Sequence, residues 1–214
     1  NQADGLTINL RNCLADPVSI VIPGQPLKGT PQFNAGRVTA FTDEAAAYDG
    51  VTAATVSYVW SSVELKTGTF LYQSGSHPAK QVHMGLYGSA VVNFGPGLAY
   101  DGVPYDQDIV VLFSEIDPDL HDAAAAAQPL SFKPRYFLIN GDGSGGTILT
   151  GSAPAPLNTR VLLRFVNSGL KSYVPTLLGE DLDSVAEDGN LYPHVRRSYS
   201  AFLGAGKTMD AIWV

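Results

Sequence analysis

Leu6 to Asn12 reads LTINLRN, with apolar Leu6, Ile8 and Leu10 alternating with polar Thr7, Asn9 and Arg11. A period of two marks a strand with one buried face. ATVSYVW repeats the pattern through Val56, Tyr58 and Trp60. TGTFLYQSG places β-formers after a Thr-Gly turn, and SAVVNF runs from a glycine to the breaker GPG. DIVVLFSEI is a continuous apolar run and predicts a strand buried on both faces. RYFLING and TRVLLRFVNSG predict strands flanking a Gly-rich loop, GDGSGGTILTGSAPAP, and SYSAFLGAGKTMDAIWV predicts two more joined at Gly204 to Gly206. NFGPGLAYDGVPYDQ, rich in Gly, Pro and Asp, reads as a linker. The alanines Ala123 to Ala127 favour a short helix. So short a helix is marginal alone, which places it in an interdomain loop.

The strands repeat at long range. LTINLRNCLADPVSIVIPG (Leu6 to Gly24) aligns without gaps on VLLRFVNSGLKSYVPTLLG (Val161 to Gly179). Leu6, Ile8 and Leu10 fall on Val161, Leu163 and Phe165; Asn12 falls on Asn167, and Gly24 on Gly179. Any two alternating strands before a turn share some of this, but the Asn and Gly matches favour two copies of one sandwich unit. RYFLING precedes the second copy, whereas only NQADG precedes the first. The first unit is therefore expected to lack its opening strands, and the chain to be a piece of a longer one. The predicted units are 1–98, and 99–214 including the linker, split near residues 95–105.

Bulk properties agree. A chain of 214 residues is too long for one immunoglobulin-sized sandwich. Only 15% of residues are charged, and 22 Gly and 14 Pro supply turns for short strands. A net charge of −7 repels phosphate and argues against nucleic-acid binding. No apolar run reaches the roughly 18 residues of a membrane helix. The single cysteine, Cys13, excludes an intrachain disulfide. Few lysines and an acidic balance favour an extracellular or periplasmic protein.

These residues resemble the multicopper oxidases, the family of laccases and bacterial copper-resistance oxidases. LTINLRNCLADPVSIVIPG is similar to the family's first-domain strand that ends in His-x-His-Gly. GTFLYQSGSHPAKQVHMGLYGSAVV is similar to the segment carrying the second His-x-His pair. DIVVLFSEIDPDLHD, KPRYFLING, TRVLLRFVNSGL and EDGNLYPHVRRSYSAFLGAGKTMDAIWV are similar to the second domain, so the resemblance covers nearly the whole chain. It implies an all-β protein of two tandem cupredoxin-like Greek-key β-sandwiches. In the family, the two His-x-His pairs supply half of a trinuclear copper cluster, and a His-Cys-His stretch holds a blue copper. Here Val21-Ile22-Pro23-Gly24 and Gln73-Ser74-Gly75 stand in place of the histidine pairs, and no His-Cys-His stretch occurs. Val, Ile, Pro and Gly offer no side-chain lone pair, and Gln is a poor copper ligand beside imidazole. The resemblance therefore implies copper in the full-length protein and none bound fully by this segment.

Remaining candidates are few. His77 and His83, six residues apart, would share one face of an extended segment, although Pro78 argues for a loop. They are the only metal-ligand candidates, and they would need a third ligand; paired loop histidines are the plainer reading. His121 follows Asp117-Pro118, the signature of a helix start. His194 with Arg196 and Arg197 reads as a solvated loop pairing with Glu187 or Asp188. NGDGSGG and GEDLDSVAEDGN superficially resemble calcium loops but lack the alternating ligands, and read as turns. Cys13, aligned with Ser168, reads as a small residue at a strand end. No nucleophile elbow, phosphate loop or HExxH is present, so no catalytic or cofactor-binding residue is assigned. The expected role is a non-catalytic segment of a multicopper-oxidase-type oxidoreductase, inactive alone. Its partners would be the remaining domains of the same protein or other subunits, with a homo-oligomer as one such assembly. The alternative is a non-enzymatic extracellular structural or protein-binding module.

Overall fold

The computed structural model describes residues 1–121, 132–144 and 156–214. The Ala123 to Ala127 helix and most of the predicted Gly-rich loop lie outside the described residues. Among the described residues the fold is all-β, with only short helical turns.

Strand β1 (Leu6–Asn12) pairs antiparallel with β5 (Ala54–Trp60), so that Ile8 faces Tyr58 and Leu10 faces Val56. Alternation along both strands turns these apolar residues inward, as the sequence pattern requires. Between them lie β2 (Ile20–Val21) and a hairpin of β3 (Pro31–Asn34) with β4 (Arg37–Phe41). β2 joins β6 (Gly68–Ser74) and β7 (Tyr87–Val92) in a three-stranded sheet. That sheet packs on the β1–β5 ribbon through a core of Ile22, Tyr58, Trp60, Leu65, Phe70 and Val92. One helical turn, α1 (Pro78–Gln81), interrupts the path from β6 to β7.

NFGPGLAYDGVPYDQ is no loose linker. It folds into a hairpin of β8 (Leu98–Tyr100) and β9 (Val103–Pro104). Ala99 and Tyr100 bury against Leu162, Val185, Ala186 and Ile212. Tyrosine explains the difference: its ring is large enough to anchor a Gly-Pro segment to a sheet.

Beyond it, β10 (Gln107–Ile116), β11 (Tyr136–Ile139), β12 (Val161–Asn167), β13 (Leu182–Glu187), β14 (Asn190–Ser198) and β15 (Thr208–Trp213) form one six-stranded sheet. Its order is β11-β10-β12-β15-β13-β14, with β10 and β12 parallel. GEDLDSVAEDGN, read as a turn, contributes β13. His194, read as a loop residue, lies on exposed β14. The two readings failed for different reasons: β13 is an inner strand whose alternation is broken by a bulge between Ser184 and Ala186, whereas β14 is the edge strand, exposed along nearly its whole length and so without an apolar period.

The internal repeat holds at the level of single hydrogen bonds. Asn12 Nδ2 donates to the carbonyls of Asp16 (2.8 Å), Ala45 (3.2 Å) and Ala46 (2.9 Å), and its Oδ1 accepts from Leu14 N–H (2.9 Å). Asn167 Nδ2 donates to Lys171 (2.7 Å), Leu203 (3.5 Å) and Gly204 (2.9 Å), and its Oδ1 accepts from Gly169 N–H (2.9 Å). Val18 bridges Ala45 as Tyr173 bridges Leu203. The hairpins β3–β4 and β13–β14 both turn on a positive-φ pair, Ala35-Gly36 and Asp188-Gly189.

Candidate functional site

Val21 pairs with Gln73, and Ile20 with Ser74, where β2 meets β6. The two stretches that the sequence resemblance sets against the family's histidine pairs are therefore neighbours in space. Their chemistry does not fit a copper ion. Among the four aligned positions, Val21, Pro23, Gln73 and Gly75, only Gln73 carries a side-chain donor atom. Gly75 has no room for a ligand: a Cβ there would lie 2.5 Å from the Phe41 ring and 2.8 Å from both Ser19 Oγ and Val21 Cγ1. Phe41 and Val21 thus fill the volume an imidazole would need. Among the described residues, no group of three or more His, Cys, Asp or Glu side chains is placed to hold a metal ion.

His77 and His83 are separated by the turn of α1. His77 is exposed at its start in a left-handed conformation (φ 46°). His83 is half-buried, its ring 5.6 Å from that of Phe132. His121 does reach this neighbourhood: its Nε2 lies 3.0 Å from the His83 carbonyl oxygen. The helix start predicted at Asp117 is present, with Asp117 Oδ1 accepting from Asp119 N–H (3.1 Å) ahead of one turn over Pro118–His121. Burial holds the His83 imidazole below its ordinary pKa, opposed by the carboxylates of Asp117 and Glu115. His83 and Gln73 line a cleft of about 470 Å³, walled by Leu71, Val82, Phe132 and Leu170. Size and apolar walls suit a small-molecule cleft. His194 stands apart, exposed on β14.

The sequence reading missed the most heavily engaged polar residues. Arg164, on β12, is fully buried. Its guanidinium donates to Asp108 (2.9 Å), Thr69 Oγ1 (3.1 Å) and Asn93 Oδ1 (2.6 Å), and lies over the Tyr105 ring. Its register partner on β15 is Asp210, also buried, which accepts from the Thr69 hydroxyl (2.6 Å) and the Tyr100 hydroxyl (2.5 Å). Burial raises the Asp210 pKa, while Arg164 and the two hydroxyls oppose that rise. Burial and the adjacent Asp210 carboxylate push the Tyr100 phenol up, keeping it a donor. Thr69 on β6 ties the three-stranded sheet to the six-stranded sheet here, since its carbonyl also accepts from Thr208 (2.6 Å). A lone Arg in VLLRFV and a lone Asp in TMDAIW were the available signals: each is a charge inside an apolar strand. A second carboxylate, Glu115, accepts from Leu170 N–H (2.9 Å), Lys171 N–H (3.3 Å) and the Tyr173 hydroxyl (2.5 Å).

No protein-family profile matches the chain, and no curated protein matches it in sequence. Solved structures do match. A multicopper oxidase, mgLAC, superposes with a TM-score of 0.73 at 18% identity over 97% of this chain and 62% of its own. The blue copper oxidase of Nitrosomonas europaea gives 0.70 at 18% identity, with the same coverages of 97% and 62%. The copper nitrite reductase of Nitrosomonas europaea gives 0.65 at 18% identity, over 97% of this chain and 70% of its own. The fold is that of the cupredoxin domains of multicopper oxidases, as the sequence resemblance implied. The chain spans 62% of the length of the first two neighbours.

Proposed function

We propose that the chain is the two-sandwich scaffold of a multicopper-oxidase-type oxidoreductase, with the copper chemistry carried elsewhere in the full protein or assembly. One observation carries this reading: the positions aligned with the histidine pairs converge at β2–β6, and Phe41 and Val21 crowd the space above Gly75. A site built from Val21, Pro23, Gln73 and Gly75 offers neither imidazole nor thiolate, so the segment alone is inactive as an oxidase. Its first unit, residues 1–98, and its second, 99–214, are held together by the Arg164–Asp210–Thr69 network. Their role is to present a rigid surface to the copper-bearing domains. The protein is exported, to the periplasm or outside the cell; no helix among the described residues is long and apolar enough to cross a membrane.

Copper titration of the 214-residue chain tests this reading. It is expected to give no stoichiometric binding and no intense absorption near 600 nm, with the His77→Ala, His83→Ala double variant indistinguishable from the parent. Stoichiometric copper lost in that variant would overturn it. A non-enzymatic binding module is the second reading, favoured by the apolar cleft at Gln73 and His83. A reading frame without a downstream His-Cys-His stretch would select it.

A further inference from the structure

The two copies of the repeat carry a tryptophan in the same place, and the two indoles are treated differently. Trp60 faces Leu6 across β1–β5, and Trp213 faces Val161 across β12–β15. The Trp60 Nε1–H donates to the Pro26 carbonyl (2.8 Å), and the Tyr58 ring stacks beside it at 6.3 Å. The Trp213 Nε1–H is also buried, but it meets no acceptor among the described residues. The place of Tyr58 is taken by Ala211: Ile8 faces Tyr58 in one copy, and Leu163 faces Ala211 in the other. Folded proteins rarely keep a buried donor without an acceptor, so the Trp213 N–H calls for a partner.

Trp213 lines an apolar cavity of about 240 Å³. Its floor is Val111, Leu163, Phe165 and Leu182, all nearly fully buried. Thr176, which is exposed, marks its mouth. No charged side chain among the described residues lines it, so an ion would be stranded there. The Thr176 hydroxyl already donates to the Val174 carbonyl (3.1 Å). The cavity therefore offers hydrocarbon, aromatic rings and one free donor, the Trp213 N–H. Volume sets the size of an occupant. A cavity of about 150 Å³ admits benzene, so this one admits a bicyclic molecule of about ten non-hydrogen atoms. Water is a poorer occupant, because it needs roughly two to four polar partners and the inner wall supplies one.

We propose that this cavity binds a neutral aromatic molecule with one hydrogen-bond acceptor, of the aryl ketone class. Its oxygen accepts from the Trp213 Nε1–H, and its ring takes the room that the Tyr58 ring fills in the first copy. An alcohol or phenol fits less well, because its own O–H finds only the Thr176 oxygen at the mouth. The site is separate from the cleft at Gln73 and His83, and the inference is independent of where copper binds.

The 214-residue chain, labelled with nitrogen-15, should give two indole N–H resonances, from Trp60 and Trp213. Trp213→Phe removes one and so assigns both. Saturating 1-indanone should shift the Trp213 resonance and slow its exchange with solvent at least about tenfold, leaving Trp60 unmoved. Indane, the same skeleton without the oxygen, should bind at least about fivefold more weakly, because it leaves the N–H unpaired. Trp213→Phe keeps an aromatic wall and removes the donor, so it should bind the two probes equally. If that variant does not fold, the resonances are assigned by magnetisation transfer to the strand partners Leu6 and Val161, and the unaltered chain decides alone. The proposal is overturned if the Trp213 N–H is already protected from exchange without ligand, or if indane binds as tightly as indanone. It is equally overturned if both indole resonances shift together or if neither probe binds.

Discussion

Asn9 and Arg164 hold the same place in the two copies of the repeat, and their surroundings are opposite. Asn9 is exposed on β1 and accepts from Ser57 across the ribbon (2.6 Å). Arg164 is fully buried on β12, opposite Asp210. The outer face of β1–β5 meets water, whereas that of β12–β15 meets β6 and the β8–β9 hairpin. The strand geometry is conserved between the copies, and the chemistry of one face has been rewritten for a neighbour. A second pair shows the same logic. Leu14 is half exposed, while Gly169, at its repeat position, lies under the Glu115 carboxylate supplied by β10. The first copy has no described strand beside β1 in the place of β10, and so no such carboxylate to accommodate.

Breaking the buried pair should give the largest effect. Arg164→Met leaves Asp210 buried without its cation and should cost about 3–5 kcal/mol in urea unfolding. Asn9→Ala, at the same repeat position, should stay within about 0.5 kcal/mol. Equal effects would remove the distinction between the two faces. The Asn pair probes what the copies share: Asn12→Ala and Asn167→Ala each strand buried carbonyls and should each cost roughly 2–3 kcal/mol. A large difference between those two would show that the hydrogen-bond hubs are not equivalent.

Gly169→Ala places a Cβ 2.1 Å from Glu115 Oε2. The carboxylate must move from its three donors, at a cost of about 1–3 kcal/mol, whereas Leu14→Ala should stay within about 0.5 kcal/mol. The smallest effect concerns pH at the cleft lined by Gln73 and His83. Burial depresses the folded-state pKa of His83, so its contribution to stability is full above about pH 6.5. That contribution is lost as pH falls from the unfolded value through the folded one, because the unfolded chain takes up the proton first. His83→Gln should therefore flatten the decline of the urea midpoint between about pH 7.5 and pH 5.5. An unchanged slope would show that His83 is not desolvated.

Much of the molecule is legible in the chain. Period-two alternation in LTINLRN and ATVSYVW predicts two strands and which side of each is buried, and both predictions hold. Asn12 over Asn167 and Gly24 over Gly179 disclose the duplication. The resemblance sets Val21, Pro23, Gln73 and Gly75 where histidines would be expected, and that expectation can be read as chemistry before any geometry is known. Local pattern suffices for the strands because alternation depends on residues two positions apart, and the repeat is legible because one such local pattern can be laid over another.

Other features required the tertiary structure. A reader of NFGPGLAYDGVPYDQ sees a flexible connection, and only the packing of Tyr100 on Leu162 and Ile212 makes it rigid. The partners of Arg164 lie 56, 71 and 95 residues away, and Asp210 binds Thr69 across 141. Nothing local couples such positions. Whether a charge within an apolar strand is a fault or a joint depends on which distant donors and acceptors the fold brings against it. Alternation therefore determined which side of β1 faces inward, and only the tertiary structure decided what lies against the other face of β1 and of its repeat β12: water for one copy, and β6 with the β8–β9 hairpin for the other.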